Sequence, residues 1–410
     1  MKKFLFFIAF LCFGIQMSFG QTNIKTMFYN LLNFSTAPPE NRAEILNDIL
    51  ANYEPDIFMV CELELPQDGG EILTNSFNYT TANIQSVPFQ FNTSGISTIH
   101  QLVYYDADKL TFVDSEIIQT NIRDINHYQF QLNTNSETIL DVFVAHFKAA
   151  QGFSNEQQRL FEANQFINYV ETLPADSNII FGGDFNLYSA LEPAFQVITS
   201  GTEDINFLDP IDEIGAWNNN SQFAQVHTQS TRSSNDDFDD FGAGGGLDDR
   251  FDFIFISDNL KNQNNPIRYV ENSYAAFGNN GNCFNDNISD NDCYGAYNQN
   301  LRNLLYLMSD HLPVVMSLEI DENFLKSKDF DIEDLISFSN GNIVQDILAL
   351  NFNTNVQNKK FSIYNALGQE IHQSSVIAKH VEVDVSEYSV GVYFLKLEGV
   401  NHALKFLKSN

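Results

Sequence analysis

NIIFGGDFN, residues 178–186, runs from an apolar β-branched and aromatic stretch through two glycines to an acid and an amide. A run this short and this apolar reads as a buried strand. Asp184 and Asn186 then stand where the chain leaves the sheet, the place where polar side chains from several strands can converge. The same arrangement recurs along the chain. Asn30 lies in MFYNLLNF, Glu62 follows IFMVC, His146 follows VFVA, Asp252 opens DFIFIS, and Asp310-His311 precede LPVVM. One acid after one strand is usually a turn or a helix cap. The repetition of the pattern makes it informative.

Outward from these strands the chain alternates. Ile45, Leu46, Ile49 and Leu50 recur at helical spacing within 40–53, before Glu54-Pro55 stops the helix, and residues 155–170 form a second amphipathic helix. Runs at 57–61, 139–145, 178–181, 251–256 and 312–318 read as buried strands. Mixed helices and buried strands predict an α/β domain of sheets covered by helices. After Ile320 a charged stretch, 321–335, is expected as a linker, and the short alternating segments of 336–410 as a small all-β domain. Residues 235–249 and 278–295 are acidic, glycine- or asparagine-rich loops. Such loops are read mainly as solvated, with a structural Ca²⁺ as the alternative.

The 410 residues carry 21 basic and 53 acidic side chains, a net charge of −32. Residues 1–20, with Lys2 and Lys3 before an apolar run and Ser18 and Gly20 near its end, read as a signal peptide, and its removal takes the charge to −34. No later stretch is long and apolar enough for a transmembrane helix. So negative a surface disfavours a polyanionic partner. Cys283 and Cys293 share one loop and can pair in an exported protein, while Cys61 sits in an apolar run as a buried thiol.

Hydrolysing a phosphodiester needs oxygen ligands for a divalent cation, a group to orient and deprotonate water, and donors for the phosphate. Glu62 and Asp310 suit the metal, Asp184 the base, Asn186 the water or a phosphate oxygen, and two imidazoles the flanks of the phosphate. In order and wording, residues 24–320 resemble the endonuclease/exonuclease/phosphatase family. MFYNLLNF, EPDIFMVCELE, VFVAHFKA, FGGDFN, DDRFDFIFIS and MSDHLPVV carry the likeness. The resemblance implies a four-layered α/β sandwich of two mixed sheets flanked by helices, spanning 21–320. It implies Mg²⁺ or Mn²⁺ on Glu62 and Asp310 with Asn30 close by. Asp184 would act on the water with Asn186 beside it, and His146 and His311, the latter oriented by Asp252, would hold the phosphate. Arg123 and Arg159 are expected as phosphate contacts alongside Asn30, and Arg250 as a brace. Cys61 stands where many members have Gln, and Glu64 where pancreatic-type deoxyribonucleases tend to carry a basic residue.

From about Ile336, FSIYNALGQEI, DVSEYSVGVYFLKLEG and ALKFLKSN resemble the C-terminal sorting domain of the type IX secretion system. That implies export through its machinery to the cell surface or beyond. The expected product is a secreted monomeric phosphoesterase. An extracellular nuclease is favoured, with a sphingomyelinase-like or inositol-phosphate phosphoesterase as the alternative and a surface-binding module as the non-enzymatic one.

Overall fold

The computed structural model describes residues 22–133, 138–320, 335–352, 356, 359–397 and 403–409. The expected signal peptide and all but the last residue of the expected linker lie outside these residues. The chain divides into two compact units, with the boundary between Leu325 and Lys326.

The first unit follows the order β1 (Thr22–Phe34), α1 (Arg42–Leu50), β2 (Ile57–Leu63), α2 (Pro66–Asn75), β3 (Ile84–Ser86), β4 (His100–Asp106), β5 (Leu110–Ile118), β6 (Ile125–Leu132), β7 (Ile139–His146), α3 (Phe153–Val170), β8 (Asn178–Asp184), α4 (Pro193–Ser200), β9 (Phe207–Leu208), β10 (Asp252–Ser257), β11 (Ile267–Tyr269), β12 (Ala275–Ala276), α5 (Gln299–Met308) and β13 (Val314–Ile320). One mixed sheet has the order β11-β13-β1-β2-β4-β3, with β12 beside β13; the other has the order β5-β6-β7-β8-β10-β9. In each sheet the pair carrying most of the site, β1 with β2 and β7 with β8, is parallel and joined through a helix.

The two sheets face each other, and glycine sets their spacing beneath the site. A Cβ on Gly182 would lie 2.8 Å from Met59 Sδ and 3.4 Å from Phe28 Cβ, both on the opposite sheet. Outside, α1 and α5 bury Ile45, Leu46, Ile49, Leu301, Leu305 and Met308 in one core. Helices α3 and α4 bury Ala163, Phe166, Phe195 and Ile198 against Phe143, Phe181, Phe253 and Phe255 in another. Phe166 stacks on Phe181 with ring centroids 3.9 Å apart. Each such fully buried phenylalanine contributes about 1.5–3 kcal/mol of transfer free energy. The result is helix, sheet, sheet, helix, the four-layered α/β architecture expected from the sequence.

All five expected buried strands and both expected helices are present. Helix α5, which carries the segment before Asp310, was not anticipated. Its signals are nonetheless there: Asn298 caps it by accepting from Leu301 N at 3.0 Å, and Leu301, Leu305 and Met308 recur at helical spacing on the buried face. Cys283 and Cys293 are joined in a disulfide, and Cys61 is a buried free thiol.

The second unit is all β. One sheet contains β14 (Ile336–Phe338), β16 (Ile347–Phe352) and β19 (His380–Asp384). The other runs β15 (Ile343–Val344), β21 (Ala403–Lys408), β20 (Gly391–Leu397), β17 (Lys360–Asn365), β18 (Glu370–Ser375). Leu348, Leu350, Phe361, Ile363, Leu395 and Phe406 form its core, supplied by alternate residues of the strands.

Candidate functional site

Register places the polar strand ends side by side. On the second sheet His146 pairs with Asp184 and Asp184 with Asp252, so three adjacent strands present them at one level. On the first sheet Asn30 pairs with Cys61, one residue before Glu62. Asp310 and His311 arrive from the end of α5. Glu62 and Asn186 both adopt left-handed backbone, with φ of 63° and 51°. That conformation is costly for residues other than glycine and concentrates at functional sites.

Asp184 is the hub. Its Oδ2 accepts from Asn30 Nδ2 at 3.1 Å and lies 3.5 Å from His146 Nε2 and 3.7 Å from His311 Nε2. Its Oδ1 accepts from Asn186 Nδ2 at 2.8 Å and Asn186 N at 3.1 Å. Burial raises its pKa, and the Asp252 and Glu62 charges push the same way against the attraction of His311. Glu62 is raised by burial and then by the charge of Asp310. Burial holds His146 well below the usual imidazole value, with Arg123 and His311 adding to the effect. His311 is the opposite case: burial would lower it, but Asp252, Asp184 and Asp310 outweigh burial and hold it well above. Its Nδ1 lies 2.8 Å from Asp252 Oδ2.

Two sets of ligand atoms lie within 4.8 Å of one another among the described residues: Glu62, His146 and Asp184, and Asp184, Asp252 and His311. Asp310 is in neither set. Its Oδ2 is held by Ala243 N at 2.7 Å and Gln229 Nε2 at 3.0 Å, while its buried Oδ1 has no hydrogen-bond partner among the described residues. Asp252 Oδ1 and His146 Nδ1 are likewise buried without a hydrogen bond among the described residues, the latter 3.8 Å from Glu62 Oε1. Buried polar atoms are normally satisfied, so orphaned acceptors beside Glu62 fit a site built around a cation. The acidic side chains of 236–249 form no such set among the described residues.

Several expectations are corrected by these contacts. Asn30 does not offer a ligand oxygen: its Oδ1 accepts from Leu32 N at 2.9 Å, and its Nδ2 donates to Glu62 Oε1 at 2.9 Å and to Asp184. An amide nitrogen cannot ligate a cation, so Asn30 ties the two carboxylates together. Arg159 is fully buried, with Nε on Glu192 Oε2 at 2.8 Å and Nη1 on the carbonyls of Lys148 and Ala150, and is not free to contact phosphate. Arg123 is not overturned: it is half-buried and donates Nε and Nη2 to the carbonyls of His146 and Phe147 at 2.7 and 2.6 Å, and its phosphate contact stays a proposal. Arg250 is bidentate to Asp209 at 2.8 Å on both arms.

Other contributors had no signal in the sequence. Gln229 Nε2 is 2.7 Å from His311 Nε2 as well as on Asp310, so in this arrangement that imidazole nitrogen accepts. A protonated His311 requires the Gln229 carboxamide to turn, which couples the two. The glycine loop turns out to be a cradle: a Cβ on Gly242, at φ +78°, would meet Asp310 Cγ at 2.8 Å. Arg42 and Arg232 hold the carboxyl end of α5. Arg42 donates to Met308 O through Nε at 3.0 Å and Nη2 at 2.6 Å, and also reaches the carbonyls of Leu31, Leu32 and Ala37. Arg232 donates to Tyr306 O and Leu307 O at 3.0 and 3.3 Å. Cations at a helix carboxyl end satisfy its orphan carbonyls and its dipole. Here they fix the turn that delivers Asp310 and His311.

Three solved structures illustrate what the chain is similar to. TDP2 from D. rerio, complexed with single-strand DNA product, has a TM-score of 0.49 at 18% identity, covering 72% of this chain and 99% of that one. The human Nocturnin catalytic domain with bound sulfate has a TM-score of 0.48 at 14% identity, covering 73% and 94%. An endonuclease/exonuclease/phosphatase from Bacteroides vulgatus has a TM-score of 0.47 at 14% identity, covering 73% and 100%. No curated protein matches the chain. No helix among the described residues is long and apolar enough to cross a membrane. Residues 342–407 match the secretion system C-terminal sorting domain, and that tail marks the chain for export by the type IX secretion system to the cell surface or the extracellular space.

Proposed function

We propose that the first unit is a divalent-metal-dependent phosphodiester hydrolase acting outside the cell. The observation that carries this reading is the convergence of Asp184, Glu62, Asp310, His146 and His311 with buried acceptor atoms left unsatisfied. A divalent cation on Glu62 and Asp310 would supply positive charge to the phosphate oxygens. The chain's own groups do the rest. Asp184, with its proton affinity raised by burial and neighbouring carboxylates, aligns and deprotonates water while Asn186 fixes its other oxygen. Neutral His146 and Asp252-oriented His311 flank the phosphate, and His311 is placed to give a proton to the departing alcohol.

Two substrate readings remain, nucleic acid and a diester of an uncharged or cationic alcohol such as a phospholipid headgroup. Exported scavenging of nucleic acid fits the secretion tail. The side chains favour the second reading. Arg159 is spent internally, Arg123 is largely spent on backbone, and no run of basic residues interleaves with aromatics. Phe91 and Ile96, on the loop anchored to the Arg123 segment through Asp124, are 60% and 99% exposed. The full-length protein and its Asp184→Ala variant should be incubated with duplex DNA, RNA and sphingomyelin vesicles, with Mg²⁺ or chelator. Metal-dependent cleavage of at least one, lost in the variant, is expected, with sphingomyelin ahead. Cleavage of nucleic acid alone would reverse the substrate order, and no cleavage of any would refute the hydrolase.

A further inference from the structure

Beside the site lies a half-buried carboxylate that the chemistry above does not use. Asp249, Gln229 and His311 are directly opposite one another in successive antiparallel bridges. Asp249 and Gln229 exchange both backbone bonds, at 2.8 and 3.0 Å. Opposed residues project to the same face, and two such steps span about 10 Å. Asp249 therefore stands one group beyond His311 on the face that carries His311, Gln229 and, through the Gln229 amide, Asp310. Burial pushes the Asp249 carboxyl up to about 7, against the Asn218 hydrogen bond and the nearby charge of His311.

Asp249 is held for use. Its Oδ1 accepts from Asn218 Nδ2 at 2.8 Å, and Asn218 in turn accepts from Gln151 Nε2 at 3.3 Å. Oδ2 has no hydrogen-bond donor and no cation beside it among the described residues. Next to it Tyr188, on the loop after Asp184, is wedged edge-on to Phe251 at 4.9 Å and beneath the Arg159 guanidinium at 5.5 Å. Asn218 ties the two together: its side chain donates to Asp249 and its backbone N–H to Tyr188 O at 3.3 Å, and the Tyr188 hydroxyl makes no hydrogen bond to the protein among the described residues. A half-buried acceptor and a half-buried hydroxyl thus lie on adjoining segments, one bridged through Gln229 to His311 and the other four residues after Asp184.

We propose that Asp249 and Tyr188 form a subsite for one alcohol of the diester, taking a hydroxyl- or ammonium-bearing group and excluding a second phosphate. This rests on the hydrolase reading and deepens it. A carboxylate oxygen with no donor of its own gains a partner from an ammonium or hydroxyl, and once Asp249 is ionised, above about pH 7, a phosphate there meets like charge in a partly dry site.

The test compares three substrates on the full-length chain with Mg²⁺. They are bis(p-nitrophenyl) phosphate as reference, p-nitrophenyl phosphorylcholine as the cationic diester, and thymidine 5′-(p-nitrophenyl phosphate) 3′-phosphate as the diester with an extra phosphate. Wild type should prefer the cationic over the doubly phosphorylated substrate by at least about tenfold in kcat/KM, and D249K should erase or invert that ratio, since like-charge contacts set such discrimination. D249N should move the ratio part of the way, and it carries the comparison if D249K does not fold. A ratio near one in wild type, or one unmoved by D249K or D249N while the reference is still cleaved, would overturn the subsite alone. Failure of wild type to cleave even the reference would bring down the hydrolase reading, and the subsite with it.

Discussion

Asp184→Asn should lower kcat for phosphodiester hydrolysis by about 10³–10⁴-fold, near the upper range for loss of a positioned general base, while leaving the melting temperature unchanged or higher. The two halves of this expectation have one cause. Asp184 is buried beside Glu62 and Asp252, and those charges and burial both push against its ionised form. Asparagine keeps an oxygen for only one of the two amides, Asn30 Nδ2 on Oδ2 or Asn186 Nδ2 on Oδ1, and it removes the repulsion and the proton-accepting group. Functional sites commonly hold groups together at a cost in stability. Steady-state kinetics on a generic diester together with a thermal melt check both halves; a large fall in melting temperature would mean that Asp184 is chiefly structural.

Arg42→Met should cost about 3–5 kcal/mol of stability, the range for breaking a buried polar network, and should weaken activity in whatever remains folded. Arg42 is 1% exposed and has no carboxylate partner among the described residues; its guanidinium is spent on carbonyls. Burial lowers its pKa to about 10, so it remains charged at neutral pH. Removing it strands the carbonyls of Leu31 and Leu32 on the bend after Asn30, and that of Met308 just before Asp310. Each unsatisfied buried carbonyl costs on the order of 1–3 kcal/mol before relaxation. The same substitution loosens both segments that deliver site residues from the first sheet. Denaturant unfolding gives the first quantity. A loss below about 1 kcal/mol, typical of a surface substitution, would show that water replaces the guanidinium without difficulty.

The strand-borne half of the site was legible because each residue sits at a break in hydrophobic pattern. Glu62, His146, Asp184 and Asp252 all end or begin apolar runs, and register then aligns them. What was not legible comes from chain without periodicity. Gln229, Ala243 and Asp249 lie in the irregular stretch between β9 and β10, where no spacing says which backbone groups will meet. Gly242 looked like part of a solvated loop until its contact with Asp310 was seen. Arginine chemistry was also misjudged. Near an anionic substrate a lone arginine invites assignment to phosphate, yet Arg159 serves Glu192 and backbone carbonyls. Sequence reveals the charge of such a residue but not whether folding has already used its donors. Asn30 lies between Glu62 and Asp184 but was read with the wrong atom, because only the Leu32 N–H fixes which end of the amide faces the carboxylates.

The central claim is that Glu62 and Asp310 bind a divalent cation within reach of Asp184. It is tested most directly by anomalous scattering from Mn²⁺ in crystals of the full-length protein and of Glu62→Gln. One strong peak within ligand distance, about 2.2 Å, of Glu62 and Asp310 oxygens, absent or much weakened in the variant, is the predicted result. No peak there, or a peak confined to the acidic loop at 236–249, would contradict the account.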